Sequence, residues 1–208
     1  MWRRLHRAVL DELGSQGLID WSQTVIDAAS VRARKGIFDR AEPGRPRQSR
    51  LEDPCAVRPR RIPVSMGDSA ANINDVEALK PLVKAIPAVR SRRGPRRRKP
   101  DKLHADKAYD TAELRKWVRA RSIGVRIARE GIESSERLGR HCWVIERTIS
   151  WLTGYHRLNI RYDRKATHFL SFLTLAAALT CYKKLAKSET RDMVLGGNVL
   201  HMSLRCAL

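Results

Sequence analysis

A chain of 208 residues is long enough for one domain with a substantial core and too short for two comfortable ones. Its 42 Lys and Arg outnumber 22 Asp and Glu, giving a formal charge of +20 and a sequence pI of about 10.8. That imbalance excludes an ordinary near-neutral enzyme surface and points to a polyanionic partner held by counterion release; nucleic acid fits, as would ribosomal RNA or a membrane surface. Cys55, Cys142, Cys181 and Cys206 make no CxxC pair and no zinc-finger spacing with His, which reads as reduced thiols in a cytoplasmic protein.

In chain order, residues 3–14 place Leu5, Ala8, Val9 and Leu13 at helical spacing, with Gly14 and Gly17 as the stop. This basic amphipathic start lacks the apolar run and cleavage site of a secretory signal. The segment WSQTVIDAASVRA, 21–33, predicts a short strand through Thr24, Val25 and Ile26 that runs directly into Asp27. Residues 36–61 are rich in proline and arginine and predict neither strand nor helix.

Order is expected to return at IPVSMGDSAANIND, 62–75, as a strand and loop, followed by a short helix over 76–86 despite Pro81. The stretch 89–102 carries eight basic residues, two prolines and a glycine, and reads as a solvated loop. KLHADKAYD then predicts a strand ending near Asp106, and 111–122 a helix capped by Asp110 or Thr111. GVRIARE, 124–130, alternates like a strand.

From Ser135 to Leu158 the apolar residues Leu138, Cys142, Ile145, Ile149 and Leu152 recur at three and four, predicting a helix that carries Glu146. A second helix is expected over 166–185, buried because its apolar run is interrupted by Ser171, Thr174 and Thr180 and falls short of a membrane span. Residues 187–208 read as a loosely held tail. The element order is that of an α/β fold with a mixed sheet.

Asp27 and Asp106 stand at strand ends, where reactive groups of α/β sheets collect, and Glu146 stands on a helix. Three converging carboxylates would suit Mg²⁺ or Mn²⁺, and two such ions can drive in-line displacement at phosphorus. The plainer reading makes each Asp a turn or helix cap and pairs Glu146 with Arg140, Arg147 or Arg157.

At these residues the sequence resembles bacterial insertion-sequence transposases of the DDE class, in the insertion-sequence-five group, whose catalytic domain has an RNase H-like mixed sheet flanked by helices. The resemblance runs through WSQTVIDAASVRARKG, SAANINDV, RRGPRRRKPDKLHADKAYD, GIESSERLGRHCWVIERTISWL and RLNIRYDRKATHFLSFLTLAAAL, about three-quarters of the chain and in the expected order. It implies a helical lead-in over 1–20, a catalytic domain over 21–186 and a tail over 187–208. Asp27, Asp106 and Glu146 become the catalytic and metal-binding carboxylates for two Mg²⁺ or Mn²⁺ ions. Arg32, Arg34, Lys35, Lys107 and Arg147 become DNA-phosphate contacts, while Trp143 and Trp151 read as packing residues.

The implied activity is metal-dependent DNA cleavage and strand transfer. DNA, as element ends and target, is the implied partner, bound by a homo-oligomer in the bacterial cytoplasm at the nucleoid. No membrane role is expected. A non-enzymatic nucleic-acid-binding protein and a nuclease of the same fold stand as alternatives.

Three departures qualify the resemblance. Cys142 replaces an arginine expected one helical turn before Glu146, and Thr153 replaces a basic residue. Residues 41–61 read like a glycine- and lysine-containing turn and apolar strand translated in a shifted frame, which predicts a disrupted or missing second strand beside the one carrying Asp27. The family's N-terminal helical DNA-binding region, sometimes a separate upstream helix-turn-helix product, precedes the residues matching MWRRLHRAVL, so the chain is expected to be the catalytic half, active or decayed.

Overall fold

The computed structural model describes residues 1–26, 29–33, 48–52, 56–57, 62–69, 75–128, 152, 154–163 and 165–195. Helix α1, Trp2–Ser15, buries His6, Leu10 and Leu13 at the spacing of one helical face and leaves Arg3, Arg4 and Arg7 exposed. It stops where the sequence predicts. Gly17 adopts φ +71°, and the Gly17 and Leu18 amides donate to the carbonyls of Gly14 and Leu13 at 3.0 and 2.8 Å, closing the last turn.

Strand β1, Thr24–Ile26, is wholly buried. It lies inside a five-stranded sheet with β4, Ala56–Val57, β5, Ile62–Pro63, β7, Lys102–Ala105, and β8, Gly124–Ile127, in the order β5-β4-β1-β7-β8. β1, β7 and β8 run parallel, and β4 and β5 are antiparallel to their neighbours. A four-stranded sheet, β6-β3-β2-β9, joins β2, Ala29–Ala33, β3, Gln48–Glu52, β6, Gly67–Ser69, and β9, Ile160–Arg161.

The register ties the two sheets together. Leu51 pairs with Asp68 and Ala56 with Pro63, so five residues advance on one strand as five retreat on the other, without slip. Between the pairs Ala29↔Leu51 and Val25↔Ala56, however, four residues on one strand match five on the other, the count that a β-bulge accommodates. The β1–β4 and β2–β3 pairings of the two sheets are thus offset from one another by one residue.

The expectation that 36–61 holds no strand is corrected by β3 and β4. The four prolines of that stretch, Pro43, Pro46, Pro54 and Pro59, fall outside both strands, so every ladder N–H within them is available, and β2 and β6 supply an edge on either side of β3. Pairing partners, rather than the segment's own composition, define the strand. On the side of β1 away from β7, the described neighbour is β4, Ala56–Val57.

Two of the helices lie close to where they are read. α2, Asp75–Ala85, tolerates Pro81, and α3, Ala112–Arg119, is capped by Thr111, whose hydroxyl accepts from the Leu114 amide at 3.2 Å. Of the region expected to be helical over 135–158, Leu152 is helical and buried, but Gly154 and Tyr155 form a turn, with Tyr155 extended at φ −86° and ψ 106°, before the short helix α4, His156–Asn159. The expected single helix is therefore broken ahead of Leu158, and 135–151 and 153 lie outside the described residues. α5, Ala166–Leu195, runs well past the expected Leu185, so the first part of the expected tail is helical, while 196–208 lie outside the described residues.

Its apolar core, Ala166–Ser188, reaches membrane-spanning length, longer than the sequence run suggests. Half of its most apolar stretch is nevertheless buried inside the protein. The Thr174 and Thr180 hydroxyls donate back to the carbonyls of Leu170 and Ala176 at 2.7 and 2.8 Å, so these polar residues sit inside the apolar run without orphaned groups. One end of α5 packs Phe169, Leu173 and Ala177 against Val31 and Leu158; the other sends Cys181 and Leu185 into the main core with Leu10, Ile62 and Leu103.

Where α1, β5 and α5 meet, the Pro63 carbonyl accepts from His6 Nε2–H at 2.9 Å, with Cys181 Sγ at 3.8 Å. Because a carbonyl only accepts, the ring proton is on Nε2. Burial pushes the His6 pKa below 6.5, with the Pro63 hydrogen bond opposing. The unfolded chain therefore takes up a proton before the folded one. Stability from this group is complete above pH 6.5 and lost as pH falls below it. Urea unfolding at pH 7.5 and 5.5 should show lower stability at the acid value, and His6→Gln should flatten that difference.

Candidate active site

The parallel strands end level. Ile26 of β1 pairs with Ala105 of β7, which pairs with Ile127 of β8. The next residue after Ala105 is Asp106, exposed at the carboxyl edge of the sheet. Its backbone stays extended at φ −68° and ψ 165°, and its side chain accepts the Lys107 amide at 2.7 Å, capping the 3₁₀ turn Lys107–Tyr109. Asp106 is thus a cap, as the plainer reading has it, and also an oxygen donor at the edge.

The turn is anchored on both sides. Tyr109, at 2% exposure, drives its ring into the main core and fixes the turn's far end. The chain leaves through Asp110, whose Oδ1 accepts from Arg115 Nε at 2.6 Å, while Arg115 Nη2 donates to the Ile127 carbonyl at 2.9 Å. One guanidinium from α3 therefore ties the exit of the Asp106 turn to the end of β8. On the surface Lys80 of α2 bonds Glu113, and that hydrogen bond and charge hold the Glu113 carboxyl below its usual range.

The family described as Transposase DDE domain matches residues 22–181. The chain belongs to the DDE transposases of bacterial insertion sequences. Over 121 residues it is 39% identical to a Burkholderia cepacia protein named as a transposase for insertion sequence element IS402, covering 58% of this chain and 57% of the relative. The chain thus spans little more than half the length of that relative. No solved structure matches it significantly.

Of the residues that the sequence marks in this transposase chain, Asp106 and Lys107 are described, both exposed at the end of β7. Arg32 is described as backbone only, paired with Ile160 in β2. Asp27, Arg34, Lys35, Glu146 and Arg147, with Cys142, Trp143, Trp151 and Thr153, lie outside the described residues. Among the described residues no three His, Cys, Asp or Glu side chains gather as a metal cluster. The covalent chain still makes one relation plain. Asp27 follows Ile26 directly, and Ile26 is paired with the residue that Asp106 follows.

Sequence reading misses Arg115. In AELRKWVRARS nothing separates it from Lys116 or Arg119, because its role depends on the β8 carbonyl it reaches, not on its helical spacing. Replacing it with Met keeps the aliphatic stem and removes the charged hydrogen bonds. Arg115→Met should cost about 1.5–3 kcal/mol in urea unfolding, the range for hydrogen bonds to charged groups.

Proposed function

We propose that the chain carries the catalytic centre of DNA transposition, with Asp27, Asp106 and Glu146 holding two Mg²⁺ or Mn²⁺ ions for cleavage at element ends and strand transfer to target DNA. The observation that supports it most is the Ile26↔Ala105 pairing, which joins the strands whose next residues are Asp27 and Asp106. Asp106 also fits a hard cation: it is an exposed carboxylate with a side-chain orientation fixed by the Lys107 amide. When bound, such a pair of ions supplies an activated oxygen nucleophile and stabilises the leaving oxygen. The chain's own contribution is positional. Lys107 lies one residue from Asp106 and, with Arg32, Arg34, Lys35 and Arg147, holds phosphates without reading bases.

The reading extends to a homo-oligomer on DNA in the bacterial cytoplasm, with a separate helix-turn-helix product as a possible upstream partner. It also retains the RNase H-like assignment, since the order β5-β4-β1-β7-β8 with three parallel strands is compatible with that fold. Supercoiled plasmid nicking and strand transfer in Mn²⁺ test it: Asp106→Ala should fall to the level of an EDTA control while salt-sensitive DNA binding persists. Wild-type binding without metal-dependent cleavage would favour a binding protein or an inactive remnant. Cleavage without strand transfer would favour a nuclease.

A shifted reading frame across 41–61 would account for the proline- and arginine-rich composition of this stretch. Sequencing of intact copies of the element should reveal a compensating insertion and deletion at the ends of this stretch. Their absence would sink the idea.

A further inference from the structure

The densest run of positive charge, 89–102, lies at the end of the sheet away from Asp106. It leads into β7, and its last residue before the strand, Asp101, donates its amide to Trp21 O and accepts from the Gly124 amide, both at 2.8 Å. Trp21 precedes β1 and Gly124 opens β8, so the loop is fastened along the amino edge of all three parallel strands. Asp106 stands beyond the four residues of β7, five steps from Asp101 and about 16 Å away along the strand.

The loop has a built shape despite its composition. Val89 and Arg97 exchange backbone hydrogen bonds at 2.8 Å, and Arg98 donates to the carbonyls of Ile86 and Lys84 at 3.1 and 3.3 Å. Asp11 of α1 fastens the other side: it accepts the Arg90 amide at 2.9 Å and Arg96 Nη1 at 2.8 and 3.0 Å, and Arg96 also donates to Ala88 O at 2.8 Å. Gly14 permits the close approach, since a Cβ there would lie 2.1 Å from the Arg90 carbonyl oxygen. Burial opposes the Asp11 charge, but the Arg90 amide and the Arg96 guanidinium more than offset it and hold the carboxyl below its usual range.

These attachments consume some of the cations and aim the others outward. Arg92, Arg93 and Lys99 are exposed and have no side-chain hydrogen bond or ion pair among the described residues. Arg4 and Arg7, also exposed, stand seven and four positions before Asp11 and so share its helical face, extending the positive surface about 10 Å along α1. The adjoining cleft of about 530 Å³ is lined by Asp20 and Asp101 as well as Arg92 and Arg97, and Arg97 is paired with Asp101 at 2.7 Å. That balance disfavours an anion inside the cleft and leaves the cationic outer rim as the track for a polyanion.

The structure assigns this Asp11-fastened rim of loop and helix to a second stretch of DNA backbone, separate from the DNA handled at the carboxyl edge. It is a phosphate surface without base readout. The assignment rests on the reading of DNA as substrate given above, and its test is made without metal so that the two can fail separately.

Fluorescence anisotropy with a 30-base-pair duplex of random sequence, titrated across salt in EDTA, reads the phosphate contacts directly. Arg92→Ala/Arg93→Ala/Lys99→Ala should weaken binding and reduce the log–log salt slope by about 2 to 3, near 0.9 per lost contact. Lys116→Ala/Arg119→Ala/Arg126→Ala, which removes the same charge from α3 and β8, should leave the slope near that of wild type. Circular dichroism and thermal midpoints confirm that both variants are folded. Equal losses in the two variants, or no loss in the first, would overturn the assignment. So would a slope change seen with duplex RNA and not with DNA. Loop-dependent binding without Mn²⁺-dependent nicking would instead remove the catalytic reading and leave the surface standing.

Discussion

The parallel pairing of β1 with β7 is the constraint from which the rest of the molecule takes its geometry. Parallel strands cannot be joined by a tight turn, so the chain that leaves β1 at the carboxyl edge after Ile26 must cross back to the amino edge before Lys102. Part of that excursion forms the antiparallel meander of β2 to β6, and the remainder includes α2 and the basic loop. A different register would separate Ile26 from Ala105 and carry Asp106 out of line with the end of β1. The core enforces the observed one: Val25, Ile26, Leu103, Ala105 and Ile127 are all nearly inaccessible. β1 is buried on both faces, since the adjacent Val25 and Ile26 point to opposite sides and are both nearly inaccessible, so a slip of this strand would force repacking on both faces of the sheet.

Because the strands are parallel, the two ends of the sheet are chemically unlike. At the carboxyl edge, Asp106 is exposed on a turn locked by Tyr109 and by the Asp110–Arg115–Ile127 connection. At the amino edge, Trp21, Asp101 and Gly124 are joined through backbone hydrogen bonds, and a basic loop stands over them. The eight basic residues of 89–102 thus stand on the other side of β7 from Asp106, which has Lys107 as its neighbour in the chain. The segregation follows from where the loop enters the sheet.

What could be read in advance was whatever the chain specifies locally. β7, Asp106 and α3 follow from the alternation of KLHA, the extended Asp and the cap Thr111, and the structure agrees to within three residues, α3 ending at Arg119 rather than at 122. The Pro81 helix was equally legible, since one proline removes one bond while the apolar face of Leu79, Leu82 and Val83 still packs. β3 was not legible, because QSRLE has no strand signal of its own and is paired only by virtue of β2 and β6. The reach of α5 was underestimated because its polar residues bond back to their own helix. Asp106 was identifiable from its neighbours; Arg115 was not, since its acceptor is a backbone carbonyl twelve residues on.

The formal charge of +20 overstates the number of cations free to meet a polyanion. Arg96, Arg97, Arg98 and Arg115 are bound to carboxylates or carbonyls, and Arg157 is paired with Asp163 at 3.2 Å and lies 5.0 Å from the Phe172 ring. Arg161 is buried, with its guanidinium 5.4 Å from Phe169 and its Nε on the Asp163 carbonyl. In these positions arginine acts as a planar fastener between elements, a role that lysine's point charge fills poorly. Composition therefore identifies the class of partner, but only the pairing pattern separates cations that hold the fold from cations that face outward. The loop at 89–102 contains both kinds, and its bound arginines are what give its free ones a fixed place.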